Sequence, residues 1–228
     1  MDGTPRIVSD VMTHTVVAIG RDAPFKQIVA LMEQWGISAL PVLEGEGRVV
    51  GVVSEADLLP KEGYRGSDPS RMEQLRHPKE LARAGAVTAG ELMTSPAVCV
   101  RAGAALSEAA RLMAVRRVKR LPVVDAQGVL VGVVSRGDLL RVFLRPDEDI
   151  AREVRREVVA PLFPEGDVGV RVSEGVVAFT GRVRDTALVP VAARMARAVE
   201  GVVDVGFDLV RPSVPVRRPE PPVVGPLF

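Results

Sequence analysis

Two short stretches carry the residues best placed for chemistry. Ser54 to Asp57 and Ser135 to Asp138 each set a hydroxyl and a carboxylate three positions apart, directly after a run of valines. At a helix start this spacing makes a capping box, in which the serine caps and the third residue on reaches back. Glutamate or glutamine would cap as well, yet both stretches hold aspartate. A short carboxylate beside a helix N-terminus can also accept two hydrogen bonds from a ribose diol. The free helix N–H groups and the helix dipole beside it suit a phosphate. Two readings therefore stand for Ser54, Asp57, Ser135 and Asp138: a cap, or a contact to a sugar phosphate.

Both stretches belong to a longer duplication. Met12-Thr13 recurs as Met93-Thr94, Leu31-Met32 as Leu112-Met113, and Pro41-Val42 as Pro122-Val123. The nine residues from Gly51 recur from Gly132 with two changes. The offset is 81 throughout, with no insertion inside either copy. A unit used twice usually cannot bury its apolar face alone, so the copies are expected to pack on each other and to form paired clefts.

The elements that must position these residues read alike in the two copies, as β-α-β-β-α. A strand over 16–19 or 97–100 leads through a turn into a helix. That helix has Phe25, Ile28, Val29, Leu31 and Met32, or Leu106, Ala109, Ala110, Leu112 and Met113, at helical spacing. Strands follow over 40–43 and 49–53, or 121–124 and 129–134, and the last helix begins at Ser54 or Ser135. Runs apolar on both faces fit buried strands covered by helices. The stretch between the copies reads as a loop and then a short helix over 71–84, interrupted by Pro78. Its Lys61, Arg65, Arg71, Arg76, Lys79 and Arg83 alternate with Glu62, Asp68, Glu73 and Glu80, the pattern of a solvated linker.

After Pro146 the pattern changes. An amphipathic helix over 147–160 carries Ile150, Val154 and Val158 at four-residue steps. Alternating Val168, Val170 and Val172, a turn at 173–175 and a second strand over 176–180 predict a hairpin. A helix over 185–200 and a strand over 202–209 complete α-β-β-α-β. The expected division is 1–64 for the first repeat, 65–90 for the linker, 91–146 for the second repeat, and 147–211 for the small domain. A proline-rich tail over 212–228 reads as extended or disordered.

Composition narrows the function classes. The formal net charge is +1, so no whole-chain field argues for nucleic acid or membrane. Cys99 is the single cysteine, which excludes an intrachain disulfide and suits a reducing cytoplasm. It reads as a core residue, since His14 and His77 form no arrangement with it for nucleophilic catalysis or metal binding. The N-terminus shows no basic and apolar leader, and no run approaches the ~20 apolar residues of a membrane span. The expectation is a cytoplasmic protein.

Met-Thr, then strand and helix, then apolar-Pro-Val, then Gly-apolar-apolar-Ser-x-x-Asp, twice over, resembles a tandem pair of CBS domains, the family named after cystathionine β-synthase. The resemblance covers 8–142. It implies an α+β fold of two repeats packed with pseudo-two-fold symmetry, two clefts, and pairing of modules into a homodimer. It implies adenosine-containing ligands: AMP, ADP, ATP, S-adenosylmethionine or NAD, with no metal required. It makes Asp57 and Asp138 the ribose residues and Ser54 and Ser135 the contacts to sugar or phosphate. Ribose carboxylate and phosphate cations would come from opposite copies, so the better anion site would pair Asp57 with Lys119 and Arg120. Asp138 would face Ser38 and Ala39, with Arg136 in partial compensation. Guanidinium groups bind phosphate bidentately, and lysine acts as a point charge. The plain alternative for Arg116, Arg117, Lys119 and Arg120 is a solvated helix end, favoured at the negative terminus. The base would lie against Val16, Val17, Ile37, Ala97, Val98 and Val118, which otherwise read as ordinary core.

Residues 147–211 resemble a BON domain, on the opening helix, the stretch from Glu174 to Val183, and that from Val199 to Val205. The resemblance implies a partner or lipid surface. Together these readings predict a non-catalytic regulatory protein that senses adenine nucleotide in energy regulation, with a BON domain relaying the state to an unknown protein or lipid partner. The alternative is a constitutive scaffold whose clefts bind no nucleotide. An enzyme would need a catalytic constellation that the sequence does not show, and nucleic-acid binding would need affinity that falls steeply with salt.

Overall fold

Two valine-rich runs in each copy pair as a hairpin, because β-branched side chains suit a pleated and buried surface. In the computed structural model, which describes residues 6–66, 75–164 and 167–210, β2 (Ala39–Glu44) and β3 (Arg48–Ser54) are antiparallel, and β1 (Ile19–Gly20) joins β2 in parallel. The second copy repeats the order with β4 (Val100–Arg101), β5 (Arg120–Val124) and β6 (Leu130–Ser135). Even the irregularity recurs: the register shifts between Val42 and Leu43 and again between Val123 and Val124.

The helices are α1 (Val8–Val11), α2 (Phe25–Trp35), α3 (Glu55–Leu58), α4 (Pro60–Gly63), α5 (Pro78–Gly85), α6 (Ala89–Leu92), α7 (Leu106–Arg116) and α8 (Arg136–Leu140). α2 buries Ile28 and Met32, and α7 buries Ala109 and Met113 at the matching positions. Both end on a left-handed residue, Gly36 in the first copy and Arg117 in the second. Residues 75–76 are helical, the helix breaks at His77, and Pro78 opens α5, as suits a residue without an N–H. The first part of the helix expected over 71–84 lies outside the described residues, as does the expected tail over 212–228.

The leading strands are shorter than the sequence predicts, only Ile19–Gly20 and Val100–Arg101. The reason is that the chain before them serves the other copy. Thr13 exchanges both backbone hydrogen bonds with Val133, at 2.9 and 3.0 Å, and Thr94 exchanges both with Val52, at 2.9 and 3.1 Å. α1 likewise gives Val8 to the core of the second copy, with Val100, Leu121, Val123 and Val134. α6 gives Ala89 and Leu92 to the core of the first, with Ile28, Leu40, Val42 and Val53. Each copy completes its partner's core, which is why neither is self-sufficient.

The chain divides into two compact units, one ending at Arg141 and one beginning at Val142. In the second, α9 (Asp147–Val154) continues through a π-helical turn (Arg155–Val159) and a last turn (Ala160–Leu162). β7 (Val168–Ser173) and β8 (Val176–Arg182) form the expected hairpin, and β9 (Asp204–Val210) returns parallel to β8 by way of α10 (Leu188–Ala198). Ile150, Val154, Val158, Val177, Phe179, Ala192 and Ala196 make its core, and Phe179 stacks on Phe207 with centroids 5.0 Å apart. The Asp147 carboxylate accepts from the N–H groups of Glu174 and Gly175, both at 2.8 Å, and pins the hairpin turn to α9. No helix among the described residues is long and apolar enough to cross a membrane.

Candidate functional site

β3 delivers Ser54 in extended conformation to the first turn of α3. The Ser54 N–H and its hydroxyl both donate to Asp57 Oδ2, at 2.8 and 2.7 Å. The second copy has the same arrangement: the N–H and hydroxyl of Ser135 donate to Asp138 Oδ2 at 2.9 and 2.6 Å. Asp57 is 6% exposed and Asp138 9%, and they are the buried charged residues of the described chain. In each, one carboxylate oxygen is spent on the cap. The other, Oδ1, is left for a further donor.

The two Oδ1 atoms meet different partners. Asp57 Oδ1 lies 2.7 Å from Arg83 Nη2, a guanidinium on α5 whose side chain is 25% exposed. The same Nη2 donates to Thr94 Oγ1 at 2.9 Å, so one arginine joins the first copy's aspartate to the leading threonine of the second. Asp138 Oδ1 has Arg141 Nη1 at 3.4 Å, from a side chain 71% exposed, and exposure of that order leaves little ion-pair strength.

The expected cations divide. Arg120, at the start of β5, lines an open cleft of ≈ 810 Å³ with Ile37, Ser38 and Glu55 of the first copy and the apolar Phe25, Val29, Leu58 and Leu59. Glu55, Leu58 and Leu59 share one face of the turn. Asp57 projects from another and does not line this cleft, so Ile37, Ser38 and Arg120 are brought together while Asp57 turns to Arg83 and Thr94. Lys119 is exposed, and its carbonyl accepts from the Arg136 N–H at 3.1 Å. The Arg136 guanidinium donates to the Val118 carbonyl at 3.2 and 3.0 Å, which fastens α8 to the loop before β5. Val16, Val17, Ala97, Val98 and Val118 are half-buried, in the segments between the copies' leading residues and their strands or just before β5. Cys99 is half-buried too, and burial pushes its thiol pKa up. Among the described residues no His, Cys, Asp and Glu gather as a metal-holding group.

Sequence reasoning missed Arg83. Its linker alternates cations with acids, so no single arginine stands out. Comparison of the copies holds the missing signal: at the offset of 81 the residue matching Arg83 is Asp2, an acid. The reason for the repeated methionine and glycine was also hidden. A Cβ on Gly51 would stand 2.9 Å from Met93 Cγ and 3.0 Å from Met93 Cβ. On Gly132 it would stand 3.0 Å from Met12 Cγ and 3.1 Å from the Thr13 carbonyl. Met-Thr of one copy thus seats against the glycine of the other. α6 is held by its own capping box, in which Glu91 accepts from the N–H groups of Val87 and Thr88 at 2.7 and 3.0 Å. Those backbone donors, Val87 first, lower the Glu91 pKa.

Duplicated β-α-β-β-α units that exchange leading segments, each with a buried Ser-x-x-Asp at a helix start, define a paired-repeat module. Residues 8–61 and 89–145 match the CBS domain family, and residues 146–210 match the BON domain. The chain belongs to the CBS-domain proteins, as a CBS pair followed by a BON domain. It is 28% identical over 160 residues to the uncharacterized protein MJ1426 of Methanocaldococcus jannaschii, covering 63% of this chain and 95% of that one. It is 30% identical over 132 residues to the chloroplastic CBS domain-containing protein CBSX1 of Arabidopsis thaliana. That match covers 52% of this chain and 55% of CBSX1, so the chain spans about half the length of this relative. Among solved structures, CBSX2 in complex with AMP is similar with a TM-score of 0.54 and 31% identity, over 60% of this chain and 96% of that one.

Proposed function

We propose that this protein is a non-catalytic regulator that binds an adenine nucleotide in the clefts of its CBS pair and relays the bound state through its BON domain to a protein or lipid partner. One observation carries the reading. In both copies the serine holds the buried aspartate by a single carboxylate oxygen, and the other oxygen is turned to an arginine, Arg83 at Asp57 and the largely exposed Arg141 at Asp138. The cap uses one oxygen only, so the other can accept from a ribose diol where its arginine gives way. Asp57 and Asp138 take the ribose, and Ser54 and Ser135 hold them in place. Lys119, Arg120 and Arg136 are the cations for phosphate. Val16, Val17, Ile37, Ala97, Val98 and Val118 form the walls for the base. The AMP complex of CBSX2 supports AMP as the first ligand to try, ahead of ADP, ATP, S-adenosylmethionine and NAD.

Differential affinity for two packings of the repeats, or of two protomers, is the means by which a nucleotide shifts the population. Val29, Trp35, Leu59, Val115 and Leu140 leave apolar surface exposed on the outer helical elements, which supports pairing of modules as a homodimer. Such a regulator works in the cytoplasm, where adenine nucleotides are abundant. Thermal denaturation with each of the five ligands tests the reading. A ligand at 100 times its dissociation constant should stabilise the CBS pair by about 2.7 kcal/mol. A melting temperature unmoved by all five would leave the scaffold alternative standing.

A further inference from the structure

The two Ser-x-x-Asp turns are alike in their aspartates and unlike in what covers them. Asp57 Oδ1, the oxygen a ribose diol would need, is held at 2.7 Å by Arg83, and Arg83 is fixed at its other side by Thr94. The helix that bears it is fastened to the first copy. Lys61 Nζ donates to the Ala84 carbonyl at 3.0 Å, the Phe25 N–H donates to the Val87 carbonyl at 2.9 Å, and Ala86 is buried in that copy's core. The guanidinium is therefore presented to Asp57 by a docked element and is not a wandering surface side chain. Among the described residues Asp138 has no such partly buried guanidinium: its neighbour Arg141 is largely solvated, and the sequence holds an acid, Asp2, at the offset of 81 from Arg83.

We infer that Arg83 is an internal plug of the Asp57 cleft, so that the protein binds an adenine nucleotide first at Asp138 and at Asp57 only when the guanidinium is displaced. A partly buried, hydrogen-bonded ion pair must be broken before the diol can reach Oδ1, and that cost is subtracted from the affinity of this cleft alone. Arg83 thus acts as a gating residue and reverses the order that Lys119 and Arg120 by themselves would give. It also couples the clefts to the linker, because release of Arg83 frees α5 from both Asp57 and Thr94. The inference rests on the nucleotide reading above.

Calorimetric titration of the full chain with AMP tests it, using wild type, Asp138→Ala, Arg83→Met, and Arg83→Met combined with Asp138→Ala. Arg83→Gln is the second choice if the methionine variant does not fold. The wild type should bind one equivalent of AMP, and Asp138→Ala should bind it at least tenfold more weakly. Arg83→Met should gain a second equivalent, and the combined variant should recover binding that Asp138→Ala lacks. A combined variant no better than Asp138→Ala, with wild type binding normally, overturns the plug and leaves the nucleotide reading intact. No AMP binding by wild type or by Arg83→Met overturns the nucleotide reading itself, and the plug with it.

Discussion

Asp57 and Asp138 each spend one carboxylate oxygen on a helix cap and turn the other to an arginine. The pairing of serine with aspartate was legible in the sequence from spacing alone, because three positions at a helix start fix which atoms meet. The partner of the spare oxygen was not legible, because Arg83 reaches Asp57 only through the docking of a distant helix. The same limit applies to Gly51 and Gly132. A glycine in a valine run is readable as a close approach, but the methionine that approaches comes from the other copy. Gly51→Ala should destabilise the CBS pair by about 1–3 kcal/mol through overpacking against Met93. An unchanged urea midpoint would show that Met93 yields freely. Glu91 gives a pH test. Its pKa is lowered in the folded chain by the N–H groups of Val87 and Thr88, so it adds stability above the ordinary glutamate range and loses it as pH falls through the lowered value. Glu91→Gln should flatten this acid-side decline in melting temperature. A profile parallel to wild type would contradict it.

At the scale of elements, the hairpins, the two long helices and the α-β-β-α-β order of the second unit followed from periodicity and turn residues, since those signals are local. The exchanged leading segments did not. Residues 16–19 carry strand-forming side chains, yet only Ile19 and Gly20 find a strand to pair with, because the chain before them is crossing from one copy to the other. Nothing local tells a segment that its backbone partner lies in the other copy. Pro78, by contrast, was legible: residues 75–76 are helical, the helix breaks at His77 and α5 begins at the proline, because a residue without an N–H starts a helix more readily than it continues one. Leu92 makes the exchange testable. It lies on α6 of the second copy and is fully buried in the core of the first. Leu92→Ala should cost about 2–5 kcal/mol in chemical denaturation, in the range of a core leucine rather than a surface one. A cost within ~0.5 kcal/mol, as for a surface site, would contradict the exchange.

At the scale of the whole molecule, two units with separate cores lie on one chain. A segment from Val142 to the C-terminus, expressed alone, should unfold cooperatively, since Phe179, Ile150 and their neighbours bury one another without help from the repeats. Absence of a thermal transition by circular dichroism would show that it depends on the CBS pair. The proposed site has Asp57 and Asp138 hold the ribose of an adenine nucleotide by the oxygens that their caps do not use. It is tested most directly by equilibrium binding of AMP to the full chain and to the folded double variant Asp57→Ala/Asp138→Ala. Saturable binding by the wild type and its loss in the double variant is the predicted result. Binding that survives unchanged when both carboxylates are gone, or no binding by the wild type, would contradict it.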